Sequence, residues 1–228
     1  MNEFPFAIVG FDLDGTFLDT SQDLAAAVNH ALGSAGRPLL TVEQIKPMIG
    51  GGAKHMLLQG MEATGGCEPD ELTRLFELLL DYYEANISVH SQPFPGAMAA
   101  LDTLDGFGVK VSIVTNKFER LAVKLLSELK LMDRFVTVIG GDTMGPGRAK
   151  PAADPIIEMI ARCGGNHGET PTAFVGDSIF DIKAAKNAGV PNIACSFGFL
   201  MQPVGELEAD AVIDSFAELI PTLKRIGA

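Results

Sequence analysis

Cationic side chains are scarce in this 228-residue chain: 17 Lys and Arg face 29 Asp and Glu, a formal net charge of −12. Such a balance argues against nucleic acid or an anionic membrane as partner, although a phosphate can still be bound locally. Cysteine is also thin. Cys67, Cys163 and Cys195 are odd in number and far apart, which disfavours a disulfide framework or a zinc site and fits a reducing, cytoplasmic compartment. The four histidines, His30, His55, His90 and His167, show no metal-ligand spacing. The uncharged stretch 187–205 is broken by Gly, Pro, Asn, Ser and Gln, so it reads as strand and loop rather than a membrane span. The amino terminus carries Glu3 and soon reaches Asp12, the pattern of a first strand and not of a signal peptide.

What is present is a globular composition, 47% hydrophobic, in a chain long enough for one sizeable core or for a core with a smaller insertion. Short runs rich in Val, Ile and Phe recur with helical stretches between them: FAIVGF, VKVSIVTN, TAFVGD and PNIACSF, with weaker candidates at FVTVIG and DAVID. Strand alternating with helix predicts an α/β fold with a parallel sheet and right-handed crossovers. Residues 20–92 interrupt that rhythm. Leu72, Leu75, Phe76, Leu79, Leu80 and Tyr83 follow a helical period, as do Leu24, Val28 and Leu32. The expected organisation is a core made of residues 1–19 and 93–228, with 20–92 as a helical insertion and hinges near 18–21 and 91–96.

The three clearest predicted strands all end in polar residues: Asp12 with Asp14, Thr115 with Asn116, Asp177 with Ser178. In an open parallel sheet the carboxyl ends of the strands form the crevice where ligands bind, so these residues are expected to converge. Asp12 and Asp14, spaced i, i+2, project to one side of an extended segment. Two carboxylates at a strand mouth are costly unless a cation neutralises them, and a metal ion would do so. Lys150, in a Gly/Pro-rich loop after a weaker strand, would overhang the same edge. Ser178 and Asp181 also match a helix capping box, which gives Asp181 a structural explanation that Asp177 lacks.

Taken in order, DLDGT (12–16), VTN (114–116), Lys150 in AKPAADP and GDSIFD (176–181) resemble the four motifs of the haloacid dehalogenase superfamily. The resemblance covers nearly the whole chain, and the insertion resembles the helical cap of one of its branches. Within that branch IGGGAKHML and the chain length are most similar to the phosphoglycolate phosphatases. The resemblance implies a Rossmann-like core and phosphomonoester hydrolysis. Asp12 would be the nucleophile that forms an aspartyl phosphate, and Asp14 the general acid and base. Thr115, Asn116 and Lys150 would hold the phosphoryl group. Mg²⁺ would be bound by Asp12, Asp14 (through its backbone carbonyl) and Asp177, with Asp181 either contacting the ion through water or steadying Lys150.

Gly50, Gly51 and Gly52 precede a helical stretch, so free amides there could receive an anionic substrate group with Lys54 nearby; the alternative is a plain connector between two helices. The expected partner is a small phosphorylated metabolite, 2-phosphoglycolate first, and the protein a monomer or homodimer. A sugar phosphomutase of the β-phosphoglucomutase type keeps both acids, but no arginine lies between residues 38 and 73 to grip a bisphosphate. A broader sugar-phosphate or nucleotide phosphatase is the other enzymatic alternative, and a non-catalytic metal-binding protein would have been expected to lose Asp12, Asp14 or Lys150. Phe17 and Phe180, bulky beside the motifs, either shape the leaving-group pocket or simply pack.

Overall fold

The computed structural model describes residues 4–66 and 68–228, so Cys67 and the Glu3 reading lie outside the described residues. The elements, in chain order, are β1 (Ile8–Phe11), β2 (Leu18–Asp19), α1 (Ser21–Ser34), α2 (Val42–Ile45), α3 (Ala53–Ala63), α4 (Pro69–Ala85), β3 (Gln92–Pro93), α5 (Ala97–Gly106), β4 (Lys110–Val114), α6 (Glu119–Glu128), β5 (Val138–Ile139), α7 (Asp154–Arg162), β6 (Thr172–Gly176), α8 (Ile179–Asn187), β7 (Asn192–Cys195), β8 (Ala211–Ile213) and α9 (Leu219–Ile226). Among the described residues six strands form one sheet in the order β5-β4-β1-β6-β7-β8, every pairing parallel. All six predicted strands are there. The chain leaves β1 toward β4 and β5 on one side and builds β6, β7 and β8 on the other, so the order reverses beside β1.

Both faces of the sheet are covered, which is why its strands are apolar without a break. Val9, Phe11, Ile113 and Val175 face a cluster that includes Leu101 of α5, Leu125 of α6 and Leu223 of α9, while Ile8, Val114 and Phe174 face Ile156 and Met159 of α7 and Ala184 of α8. Successive residues of β1 therefore point to opposite faces, as a pleat requires. Cys163 and Cys195 are buried and unpaired.

The four helices α1–α4 lie between β2 and β3. Pro69 starts α4 with a residue that loses nothing by lacking an N–H there, and Leu75, Leu79 and Tyr83, four residues apart, bury the stripe against α1 and α3. Full burial of each such leucine contributes about 1.5–3 kcal/mol. From α1 the same cluster takes Leu24, Val28 and Leu32, and it runs without interruption into the core. A feature the sequence reading did not anticipate is the antiparallel pairing of Leu18 with Pro93 and Asp19 with Gln92. It ties together the two segments expected to act as hinges. No helix of the described residues is long and apolar enough to cross a membrane.

Candidate active site

β1 sits between β4 and β6, and the register aligns Phe11 with Ile113 and Val175. Asp12 follows Phe11 directly, whereas Thr115 and Asp177 each lie two residues beyond their partners of Phe11. Three motifs distant in sequence are thereby brought to one sheet edge. β5, beside β4, leads into the loop that carries Lys150 to the same place.

The buried Lys150 ammonium donates to Asp12 Oδ1 at 2.8 Å, to Asp181 Oδ1 at 2.5 Å and to the Val114 carbonyl at 2.8 Å. Burial alone would lower the Lys150 pKa, but the Asp12 and Asp181 carboxylates outweigh it and the pKa is raised. Asp181 both caps α8, as the sequence pattern suggested, and steadies Lys150, one of its two expected roles in the site. Its Oδ2 accepts from the Ser178 amide at 2.9 Å and hydroxyl at 2.6 Å, closing the capping box of α8, while Oδ1 holds the lysine.

Asp177 accepts from Thr16 Oγ1 at 2.8 Å and from the Phe199 amide at 2.6 Å. Two glycines leave it room: a Cβ at Gly198 would lie 2.2 Å from the Asp177 Cβ, and one at Gly15, whose φ is +86°, would lie 2.4 Å from Oδ2. Burial raises the Asp177 pKa well above the ordinary value, and the charges of Asp181 and Asp12 add to the effect. Burial likewise pushes Asp12 up to about 7, against the lowering influence of Lys150.

Carboxylate oxygens of Asp12, Asp177 and Asp181 lie within 4.8 Å of one another. Lys150 compensates only one of these three buried negative charges, and such oxygen-rich, anionic donor sets suit a hard divalent cation. The residues therefore fit a metal.

Asp14 belongs to a different set of contacts. Lys117 Nζ donates to both of its oxygens at 2.7 Å, and Thr20 Oγ1 to Oδ1 at 2.7 Å. Lys117 is buried, lies 4.8 Å from the Tyr83 ring centroid, and its pKa is raised because the Asp14 charge outweighs burial. Sequence reading missed Lys117, Thr16, Thr20 and Tyr83. Lys117 directly follows the quoted VTN, so its neighbourhood was visible; Tyr83 looked like one more core position of α4.

Thr115 is buried and accepts from the Lys117 amide at 3.2 Å. Asn116 Nδ2 donates to the Lys150 carbonyl at 3.1 Å and to the Gly50 carbonyl at 3.0 Å, so it joins the core to the glycine loop of the insertion. Its Oδ1 is buried without a hydrogen bond from any described residue. A cavity of about 40 Å³ opens onto Asp12, Asp14, Thr115 and Asn116 and is roofed by Gly50, Gly52 and Tyr83. Gly51 and Lys54 face an adjoining cavity of about 190 Å³ beside Lys150, which shares Gly52, Ala53, Asn116 and Phe118 with the first, and Lys54 is exposed. Phe17 is fully buried, edge-on to Phe135 at 5.2 Å and Phe11 at 6.1 Å, so it packs. Phe180 lies edge-on to His55 of α3 at 6.4 Å, between core and insertion.

Residues 9–195 match the model of the haloacid dehalogenase-like hydrolase family. The chain belongs to that family. A phosphoglycolate phosphatase of Agrobacterium fabrum is 39% identical over 220 residues, 96% of this chain and 92% of the relative. Another, from Caulobacter vibrioides, is 37% identical over 93% of this chain and 89% of its own length. Among solved structures, one from Haemophilus somnus, described as a predicted phosphoglycolate phosphatase, superimposes with a TM-score of 0.87 at 26% identity, covering 96% of this chain and 98% of that one. The haloacid dehalogenase-like fold thus accounts for the six-stranded parallel sheet and the helices around it.

Proposed function

We propose that this chain is a Mg²⁺-dependent phosphomonoester hydrolase that works through an aspartyl phosphate and takes 2-phosphoglycolate as its substrate, with residues 20–92 acting as a cap over a core of 1–19 and 93–228. The observation that carries the reading is the separation of the two acids of DLDGT. Asp12 is held by Lys150 and Asp14 by Lys117, on one cavity, so one carboxylate is placed for attack and the other for proton transfer.

Asp12 attacks phosphorus, the bond to the leaving oxygen breaks, and Asp14 in its protonated form hands that oxygen a proton. Water then attacks the aspartyl phosphate, Asp14 takes up its proton, and the bond to Asp12 breaks to release inorganic phosphate. Lys150, fixed by Asp181 and the Val114 carbonyl, neutralises charge on the transferring group, and Thr115 and Asn116 orient its oxygens. Asp12, Asp177 and the Asp14 backbone carbonyl would hold Mg²⁺, with Asp181 behind them. The ion would supply further charge neutralisation at the phosphoryl oxygens. Backbone amides of Gly50, Gly51 and Gly52 would close the site from the cap and exclude water.

No arginine lies between residues 38 and 73 to grip the second phosphate of a sugar bisphosphate, which weighs against the mutase. The test is phosphate release from phosphoglycolate, hexose phosphates, nucleoside monophosphates and pyrophosphate, with and without Mg²⁺, beside Asp12→Asn. A metal-dependent preference for phosphoglycolate that vanishes in the variant is expected. Even activity across the panel would overturn the substrate, and no release from any ester would overturn the phosphatase.

A further inference from the structure

This inference rests on the reading above, that the substrate is a small phosphoester carrying a carboxylate. We propose that Lys117 and Tyr83 are the specificity-determining pair: together they bind that carboxylate, and by doing so they draw Lys117 away from Asp14 and free the acid to transfer its proton.

Lys117 is the one cation among the described residues that line the cavity holding Asp12 and Asp14. The wall beyond the acids and the motif residues is mostly apolar, with Leu24, Ile49, Met56 and Leu79. A second anionic group entering this space is repelled by the acids and has a single attractive neighbour. Tyr83 supplies an independent observation. It is 2% exposed, it lines the same cavity, and its hydroxyl finds no acceptor among the described residues, the Lys117 ammonium beside it being itself a donor. A buried donor left without an acceptor is costly, and a carboxylate oxygen would satisfy it. Lys54, which the sequence offered either as a substrate contact or as part of a plain connector, lines the adjoining cavity and not this one, and it is exposed.

The contact has a consequence for turnover. An acid bonded through both oxygens to an ammonium at 2.7 Å is not free to turn toward a leaving oxygen. The substrate carboxylate competes for the same three N–H donors, so recognition at one end of the substrate releases the acid needed at the other. Binding energy from a non-reacting group then raises kcat as well as lowering KM. An ester lacking the carboxylate leaves Lys117 on Asp14 and turns over slowly.

The experiment compares kcat and KM for phosphoglycolate and for glycolaldehyde phosphate, which is uncharged at the end in question, in wild type, Lys117→Met, Lys117→Arg, Tyr83→Phe and Lys54→Ala. The preference in kcat/KM for phosphoglycolate is expected to fall about ten- to hundred-fold in Lys117→Met, the range of a charge-assisted hydrogen bond, and several-fold in Tyr83→Phe. Arginine should restore part of it, and Lys54→Ala should leave it as in wild type. If Lys117→Met does not fold, Tyr83→Phe decides, because it removes a single hydroxyl that has no acceptor among the described residues and leaves the Lys117–Asp14 pair in place. A wild-type preference retained in Lys117→Met and Tyr83→Phe, or lost in Lys54→Ala instead, overturns this assignment alone. Wild type that hydrolyses neither ester, or both equally, overturns the proposed function and this inference with it.

Discussion

Asp12 is buried beside two other carboxylates with one lysine between them, and that imbalance can be measured. In the absence of metal its pKa is about 7 against an ordinary 3.8, so between those values the folded protein keeps a proton that the unfolded chain has released. Stability of the metal-free protein should therefore fall as pH rises through that window. Asp12→Asn should abolish turnover, weaken this dependence to the share that Asp177 contributes and leave the metal-free melting temperature near pH 7 equal to or above wild type; a clear drop in melting temperature would contradict the account. Mg²⁺ should raise the melting temperature of wild type far more than that of the variant. Ligation also requires ionised carboxylates, and Asp12 and Asp177 both have raised pKa values, so Mg²⁺ binding should release protons, more at pH 6 than at pH 8. Calorimetry in two buffers of different ionisation enthalpy gives the proton count directly. The three carboxylates were legible in the sequence because each follows a strand or begins a helix, and Lys150 because its Gly/Pro-rich loop follows a strand. Lys117 and Tyr83 were not, since their meaning depends on an ion pair between positions 103 residues apart and on which side of α4 faces the core.

At the level of elements, α8 and the junction between α1 and the segment 90–91 each depend on one acid or hydroxyl. Ser178→Ala removes the cap of α8 and one of the bonds that aims Asp181 at Lys150, so a loss of about 1 kcal/mol in denaturant unfolding is expected, with a fall in kcat. Asp23, buried in the first turn of α1, accepts from the His90 and Ser91 amides and the Ser91 hydroxyl at 2.7–3.0 Å. It fastens the outgoing helix to the returning chain. Asp23→Ala should cost about 1.5–3 kcal/mol and speed hydrogen exchange at the amides of residues 90–91; unchanged exchange there would show that the clamp is not needed. The periodicity of α1 and α4 was readable from apolar spacing alone. The short β2/β3 ladder was not, because two-residue strands carry no periodic signal and Pro93 counts against a strand.

For the molecule as a whole, the parallel sheet and its insertion could be read from alternating patterns, but the strand order could not. Sequence places β1 first; only packing shows it between β4 and β6, where the order reverses. That reversal is what turns separate motifs into one site. The chain also contains no tryptophan, and its two tyrosines are neighbours, Tyr82 and Tyr83. Tyr82 stacks on His30 at 4.4 Å within the helical layer, whereas Tyr83 lies against Lys117. Ultraviolet emission from the unlabelled protein therefore originates from one end of a single helix, and part of it from a ring in contact with the partner of Asp14. The enzyme carries its own optical gauge where the helices α1–α4 meet the sheet edge, readable in real time during a stopped-flow mixing experiment without any introduced dye.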